Sequence, residues 1–184
     1  MNDGHIAKRY AQALIDYATA NGEAQQFYRQ MKSLSEMLTT TPHLKTTLVN
    51  PMVASADKLQ LLRSAVGDET GESFRRFVRL VLDNKRESLL ANIALNYISL
   101  YRKRHRIGKV VLVSVDPLPA TITDRILQNL IAKTYRAVEL ENRIDKSIKG
   151  GFILQIDDWR LDASVAGQLE KVRRQFIRKN KMIV

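Results

Sequence analysis

The acidic residues that could do chemistry in this sequence are concentrated near its C-terminal end. Asp157, Asp158 and Asp162 lie close together, and clustered carboxylates can bind a metal ion or transfer protons. No histidine or glutamate accompanies them, and their spacing differs from that of a calcium-binding loop. A solvated turn followed by a helix cap accounts for all three, so we predict neither a metal ligand nor a catalytic residue here.

Two adjacent glycines, Gly150 and Gly151, could let backbone N–H groups approach a phosphate. A phosphate-binding loop and a dinucleotide-binding turn both require more widely spaced glycines, which this segment lacks. The pair precedes an apolar run from Phe152 to Ile156, which favours a tight turn or bulge that begins a strand. There is no cysteine, and the three histidines are scattered. We therefore predict no cofactor site, no metal site and no enzymatic activity.

The charge balance leaves the class of partner open. The formal net charge is +11, with 45% hydrophobic residues, as expected of a chain that folds around a core and attracts acidic surfaces. The basic run from Arg102 to Arg106 could bind nucleic acid or simply face water at a helix end.

The longest aliphatic run, Val110 to Val113, is far shorter than the roughly 20 residues of a membrane span. A helical pattern begins soon after Met1, so we expect no cleaved leader.

Two groups of elements are expected to position these residues. Up to about residue 106, apolar residues recur at helical spacing in six segments separated by glycines and prolines, which predicts a six-helix bundle. After Gly108, alternating and β-branched residues predict three strands, and a helix is expected from Pro119 onward. The predicted fold is thus mainly α, with a helical bundle over 1–106 and a small α+β domain over 107–184. Further apolar positions expected in the second strand and the Pro119 helix are Val138, Leu140, Ile144, Ile122, Ile126, Leu127, Leu130 and Ile131.

The first and last helices carry the most informative apolar patterns. The first has one stripe of Ile6, Tyr10, Ala13 and Tyr17, and beside it a second stripe of Ala7, Ala11, Leu14 and Ala18. A doubled stripe is expected either of a central helix surrounded by its own bundle or of a helix that forms a groove for a partner helix. In the last helix, Val165, Leu169, Val172 and Phe176 are expected to face inward.

Four segments together resemble the delta subunit family of rotary ATP synthases, which includes the mitochondrial oligomycin sensitivity conferral protein. The first is Ile6-Ala-Lys-Arg-Tyr10-Ala-Gln-Ala-Leu14, which is similar to the family's opening helix. The second is Asn50-Pro51 followed by Lys58, and the third runs from Phe77 through Asn84-Lys-Arg86 to Tyr97. The fourth contains the Gly-Gly pair and consists of Asp145, Gly150, Gly151, Asp162 and Ser164, which we take as a structural signature.

This resemblance implies a non-catalytic stator subunit of the F-type proton-translocating ATP synthase. In the family, the N-terminal bundle binds N-terminal helices of the alpha subunits, and the C-terminal domain joins the b subunits of the peripheral stalk. The resemblance also implies a location at the cytoplasmic face of the bacterial plasma membrane, attached only through the complex, with no direct contact to nucleic acid. The groove between the first and fifth helices would bind the alpha helix through Ala7, Tyr10, Ala11, Leu14, Phe74, Phe77, Val78 and Val81. A basic nucleic-acid-binding protein is the alternative.

Overall fold

A computed structural model describes residues 3–67, 70–119, 121, 123–125, 128 and 135–181, and the side chains of these residues up to 177. The chain divides into two compact units, Met1–Arg104 and His105–Val184. The first is helical, and the second contains a four-stranded sheet with a final long helix. The expectation of a mainly helical protein with a small α+β part at its C-terminal end is therefore confirmed.

The N-terminal unit is built from helices whose ends coincide with glycine and proline. Gly22 and Gly67 have φ values of +71° and +101°, a region that is unfavourable for other residues, and Pro42 occupies the first turn of a helix. A 3-10 turn over Glu87–Leu89 precedes the last helix. The helices are α1 (Asp3–Ala20), α2 (Ala24–Thr40), α3 (Pro42–Val49), α4 (Ser55–Val66), α5 (Glu72–Asp83) and α6 (Leu90–His105).

Aromatic side chains from three helices meet in the centre of this unit. The ring of Phe27 lies 6.4 Å from that of Phe74 and 6.2 Å from that of Tyr97, measured between centroids. Tyr97 is fully buried, and its hydroxyl donates a hydrogen bond of 3.1 Å to the carbonyl of Ala24. Burial raises the pKa of Tyr97. The phenol therefore stays neutral and joins α6 to the start of α2 through both its ring and its hydroxyl.

A nearly buried ion pair fastens α4 to the 3-10 turn. Lys58 Nζ donates to Glu87 Oε1 at 2.9 Å, and the two side chains are only 5% and 15% exposed. Burial acts to raise the pKa of Glu87, but the hydrogen bonds from Lys58 and from the backbone, together with the charges of Lys58 and Lys85, lower the pKa overall. Removing one partner would leave the other charge buried without compensation, so the pair is expected to tolerate little change at either position.

The sheet of the C-terminal unit is mixed, in the order β2-β1-β3-β4. β1 pairs in parallel with β2 and antiparallel with β3, and β3 pairs antiparallel with β4. The three predicted strands are present, whereas β4 was missed because it is short and carries two charged side chains. The elements are β1 (Ile107–Ser114), β2 (Ala137–Ile144), β3 (Phe152–Ile156), β4 (Trp159–Asp162) and the final helix α7 (Val165–Lys181).

The main hydrophobic cluster of this unit lies on one face of the sheet. Val110, Leu112 and Leu154 are buried together, and partly buried side chains that include Val138 and Leu140 pack against them. Ile144, which the alternating pattern placed with these residues, is instead exposed at the end of β2. The apolar residues of the helix expected after Pro119 lie outside the described residues.

The turn between β3 and β4 uses an aspartate where many turns use glycine. Asp157 has a φ of +48°, a left-handed conformation that aspartate tolerates better than most residues. Its carboxylate accepts hydrogen bonds from the Tyr135 hydroxyl at 2.7 Å and from the Lys109 N–H at 3.2 Å. The bond to Asp157 raises the pKa of Tyr135. Asp157 therefore serves as a structural acceptor that joins the turn to β1.

Gly150 and Gly151 both adopt positive φ values, +147° and +73°. A Cβ atom at Gly151 would lie 2.2 Å from the carbonyl oxygen of Ala163, much closer than two such atoms can approach. Two backbone hydrogen bonds of 3.0 Å lie around this point, from Val165 N–H to Gly150 O and from Ala163 N–H to Phe152 O. The glycine pair thus lets the start of β3 lie directly against the chain that enters α7.

The start of α7 is held by side chains from the same signature. Ser164 Oγ accepts a hydrogen bond of 3.0 Å from the Gly167 N–H, which is the geometry of an N-cap. Asp162 Oδ1 accepts from both the N–H and the hydroxyl of Ser164, and these bonds lower the pKa of Asp162. Asp145 Oδ1 similarly accepts from the Ser147 N–H. Ser164 is therefore the N-cap of α7, and Asp162 orients its hydroxyl group.

The apolar stripe of α7 does not face inward as the periodicity suggested. Val165, Leu169, Val172 and Phe176 are all exposed, Phe176 by 65%. Helical spacing shows which side chains share a face, but not whether the same chain covers that face. The expectation that this stripe belongs to the core is therefore wrong.

Two glycines with nearly equal φ make a matched test of the contact at Gly151. Gly151→Ala should destabilise the C-terminal unit by more than about 3 kcal/mol, because it adds a clash to the backbone strain. Gly22→Ala, which meets no atom within 4 Å, should cost only about 1 kcal/mol of strain. Hydrogen exchange of the β3 amides and of the α1 amides measures the two effects separately. Equal losses at the two sites would show that the Gly151 contact is unimportant.

Candidate functional site

A groove of about 900 Å³ runs along the surface of the N-terminal unit between α1 and α5. Its walls are mainly apolar and aromatic. α1 contributes Ile6, Arg9, Tyr10, Ala13, Leu14 and Tyr17. α5 and the residues after it contribute Ser73, Arg76, Phe77, Leu80, Asn84 and Arg86.

The wall that α1 provides follows from its doubled apolar stripe. Ala7, Ala11 and Ala18 have no exposed surface, and alanine at these positions lets the neighbouring helices approach α1 closely. The other stripe, which contains Tyr10 and Ala13, faces the groove. One helix is therefore both a central element of the bundle and a wall of an open surface groove.

The apolar residues of α5 also lie on two faces, one buried in the unit and one beside the groove. Phe74, Val78 and Val81 are buried in the unit, whereas Leu80 lines the groove and is 52% exposed. The hydroxyl groups of Tyr17 and Ser73 lie 3.3 Å apart, which brings the end of α1 beside the start of α5. The two helices therefore run antiparallel along the groove, and Tyr17 marks one end of it.

The structure separates the eight predicted interface residues into two groups. Tyr10, Leu14 and Phe77 line the groove. The other five have at most 1% of their surface exposed and lie in the interior of the unit, namely Ala7, Ala11, Phe74, Val78 and Val81. A partner in the groove would meet instead the side chains that the prediction omitted, such as Ile6, Ala13 and Leu80.

A signal for the omitted residues was present in the sequence. Ile6, Ala13 and Tyr17 belong to the outer stripe of α1, which helical spacing identifies as a separate face. Periodicity does not show which of two stripes is buried, because both have the same spacing. Leu80 gives a weaker signal, since it lies on a helix whose other apolar residues form the core.

The described residues contain no group of three or more histidines, cysteines, aspartates or glutamates arranged to hold a metal ion. Within that same part of the chain, no helix is both long enough and apolar enough to cross a membrane.

The sequence from residue 6 to residue 176 matches the family model described as ATP synthase delta (OSCP) subunit. The chain belongs to this family. Among its relatives, the ATP synthase subunit delta of Bacteroides thetaiotaomicron is 43% identical over the full length of both chains. The corresponding subunit of Phocaeicola vulgatus is 38% identical over 98% of each chain.

The fold is also similar to that of a chain in the cryo-EM structure of the Toxoplasma gondii mitochondrial ATP synthase hexamer. The TM-score is 0.71 at 24% identity, and the similarity covers 93% of this chain and 97% of that chain. The predicted family and the predicted role of a stator subunit of ATP synthase are thus confirmed. None of these comparisons supports the nucleic-acid-binding alternative.

Substitution by arginine should destabilise the unit strongly at one alanine of α1 and hardly at all at another. Ala11→Arg places a charge in a site with no exposed surface and should destabilise the unit by more than about 4 kcal/mol. Ala13→Arg extends from the exposed groove wall and should change the free energy of unfolding by about 0.5 kcal/mol or less. Urea unfolding followed by circular dichroism measures both. A stable Ala11→Arg variant would contradict the burial of the inner stripe, which consists of Ala7, Ala11, Leu14 and Ala18.

Proposed function

We propose that the groove between α1 and α5 binds the N-terminal helix of an ATP synthase alpha subunit. The observation that carries this proposal is an open apolar groove on a folded helical unit, walled by two antiparallel helices. An amphipathic helix laid into such a groove buries its apolar face against both walls. Membership of the delta family supports the alpha subunit as the source of that helix.

The dimensions of the groove suit a short helix. From Ile6 to Tyr17 the α1 wall extends about 16 Å, the length of about three helical turns. A partner helix of that length presents three or four apolar side chains to the walls. Each large apolar side chain that becomes buried contributes about 1.5–3 kcal/mol, so one helix can supply useful affinity. Because Leu80 and Tyr17 are about half exposed in this chain, they have surface to contribute.

We infer that α7 provides the second attachment, to the b subunits of the peripheral stalk. Its exposed apolar residues recur at steps of four and three, the spacing of a coiled-coil seam. The helix also carries six basic residues and one acidic residue, which favours an acidic partner surface. The hydrogen bonds at Ser164 fix the start of α7, so the seam begins at a defined point on the C-terminal unit.

The proposed organisation assigns one attachment to each part of the chain. The helices of residues 1–106 act as one six-helix bundle that binds the head, and residues 107–184 act as the α+β domain that binds the stalk. The subunit has no active site of its own, and its clustered carboxylates Asp157 and Asp162 serve as structural acceptors. It lies at the cytoplasmic face of the bacterial plasma membrane as a peripheral part of the synthase.

Two attachments suit the mechanical task of a stator. The subunit must stay bound while the rotor applies torque, and residence time depends mainly on how slowly each contact dissociates. When one attachment opens, the other holds the partner at high effective concentration, so the first reforms before the complex separates. A chain that binds the head at one part and the stalk at another can therefore resist rotation without any catalytic step.

Two leucines of similar exposure test the groove. Leu80 lines it and is 52% exposed, whereas Leu95 lies on α6, outside the groove lining, and is 56% exposed. Leu80→Arg should weaken binding of a synthetic alpha N-terminal peptide by more than about 2 kcal/mol, because it removes an apolar contact and adds a charge. Leu95→Arg should leave the affinity unchanged. Isothermal titration calorimetry on the full-length chain measures both, and unchanged affinity in Leu80→Arg would reject the groove.

The α7 seam is tested by truncating its apolar side chains. The double variant Leu169→Ala with Phe176→Ala should reduce the affinity for a soluble fragment of the b subunits by more than about 2 kcal/mol. Leu61→Ala with Leu95→Ala is the control and should leave the affinity unchanged, since both leucines are exposed on helices of the N-terminal unit. Sedimentation of the chain mixed with the b fragment reports complex formation. An equal loss of binding in the two double variants would reject the seam as the attachment to the stalk.

A further inference from the structure

All the charged residues at the rim of the α1–α5 groove are basic. Among its lining residues there are three arginines, Arg9, Arg76 and Arg86, and no aspartate or glutamate. A guanidinium group stays protonated at any physiological pH. The apolar floor therefore lies beneath a positive electrostatic potential whose sign is fixed by residue type.

The arginines are unevenly placed along the groove. Tyr17 and Ser73 approach each other at one end, where α1 finishes and α5 starts. Because the two helices are antiparallel, Arg9 in the first half of α1 and Arg86 just beyond α5 flank the opposite end. The positive charge is therefore concentrated at one end of the groove, with a further arginine on the α5 wall.

Two of these arginines are available for a partner. Within the part of the chain that the structure describes, neither Arg9 nor Arg86 forms a side-chain ion pair. Arg76 differs, because its Nε lies 3.6 Å from Glu72 Oε1 across an exposed helical turn. Such an exposed pair is weak and can be exchanged for a better carboxylate without a large loss.

We infer that Arg9 and Arg86 are specificity-determining residues that select a helix bearing carboxylates beside its apolar face. This inference rests on the proposed function and names the chemistry that the alpha helix must carry. Aspartate or glutamate side chains of the helix would be attracted by the guanidinium groups across the solvated rim. A helix with lysine or arginine at these positions would be repelled, so the rim discriminates against the wrong amphipathic helix.

The rim and the floor then have separate roles. Apolar contacts with Leu80, Phe77 and Tyr10 are desolvated in the complex and govern how slowly it dissociates. The arginines remain near solvent, where charge chiefly accelerates and orients the encounter. Added salt should therefore slow association, which depends on the arginines, far more than it changes dissociation, which depends on the apolar contacts.

The experiment compares a synthetic alpha N-terminal peptide with a copy in which every Asp and Glu is replaced by Asn and Gln. Both are mixed with the full-length chain by stopped flow at 0.02 M and 0.5 M NaCl. The amide copy should associate about tenfold more slowly at low salt and show little dependence on salt. Arg9→Gln with Arg86→Gln should have the same effect on the unmodified peptide, with a dissociation rate changed less than about twofold.

Arg63→Gln is the matched control, because Arg63 is exposed on α4 and does not line the groove. It should retain the wild-type association rate and salt dependence. Equal association rates for the two peptides would overturn the inference while leaving the proposed function intact. If the unmodified peptide fails to bind, or binds equally to Leu80→Arg, the proposed function itself fails. Self-association of the chain that Leu80→Arg abolishes would assign the groove to a second copy and also overturn the inference.

Discussion

The close packing of the inner stripe of α1 is the constraint on which the N-terminal unit depends. Ala7, Ala11 and Ala18 have no exposed surface, so the neighbouring helices approach the α1 backbone more closely than larger side chains would allow. Because this face of α1 is buried, the adjacent stripe with Tyr10 and Ala13 lies at the surface beside α5. The groove is therefore a consequence of how the core is filled, and its shape depends on residues that a partner would never touch.

The C-terminal unit depends on a comparable close approach, made by backbone instead of side chains. Gly151 lies against the Ala163 carbonyl, and the hydrogen bonds of Asp162 and Ser164 converge on the same segment. These contacts join the start of β3 to the start of α7. What looks in the sequence like a cluster for phosphate or metal chemistry is thus an anchor, and the surface it presents is the exposed stripe of the helix that follows.

The acidic and basic residues of the chain are used differently. Several acidic groups are engaged internally, such as Glu87 with Lys58 and Asp157 with Tyr135. Much of the basic excess behind the net charge of +11 lies at the surface, including the groove rim and the outer face of α7. A stator subunit benefits from such a division, because internal pairs stabilise each unit while surface charges guide assembly.

The sequence by itself determined the family, the helical segments, the three longer strands and the structural character of the glycine pair, because these depend on local spacing and backbone chemistry. It left open which of two equally spaced stripes on α1 is buried. It also predicted that the apolar stripe of α7 that starts at Val165 is buried, whereas this stripe is exposed. It also missed β4, whose short charged sequence has little strand signal. Only the tertiary structure decided these points, since burial depends on which other elements cover a face, and that is not encoded in the period of the face itself.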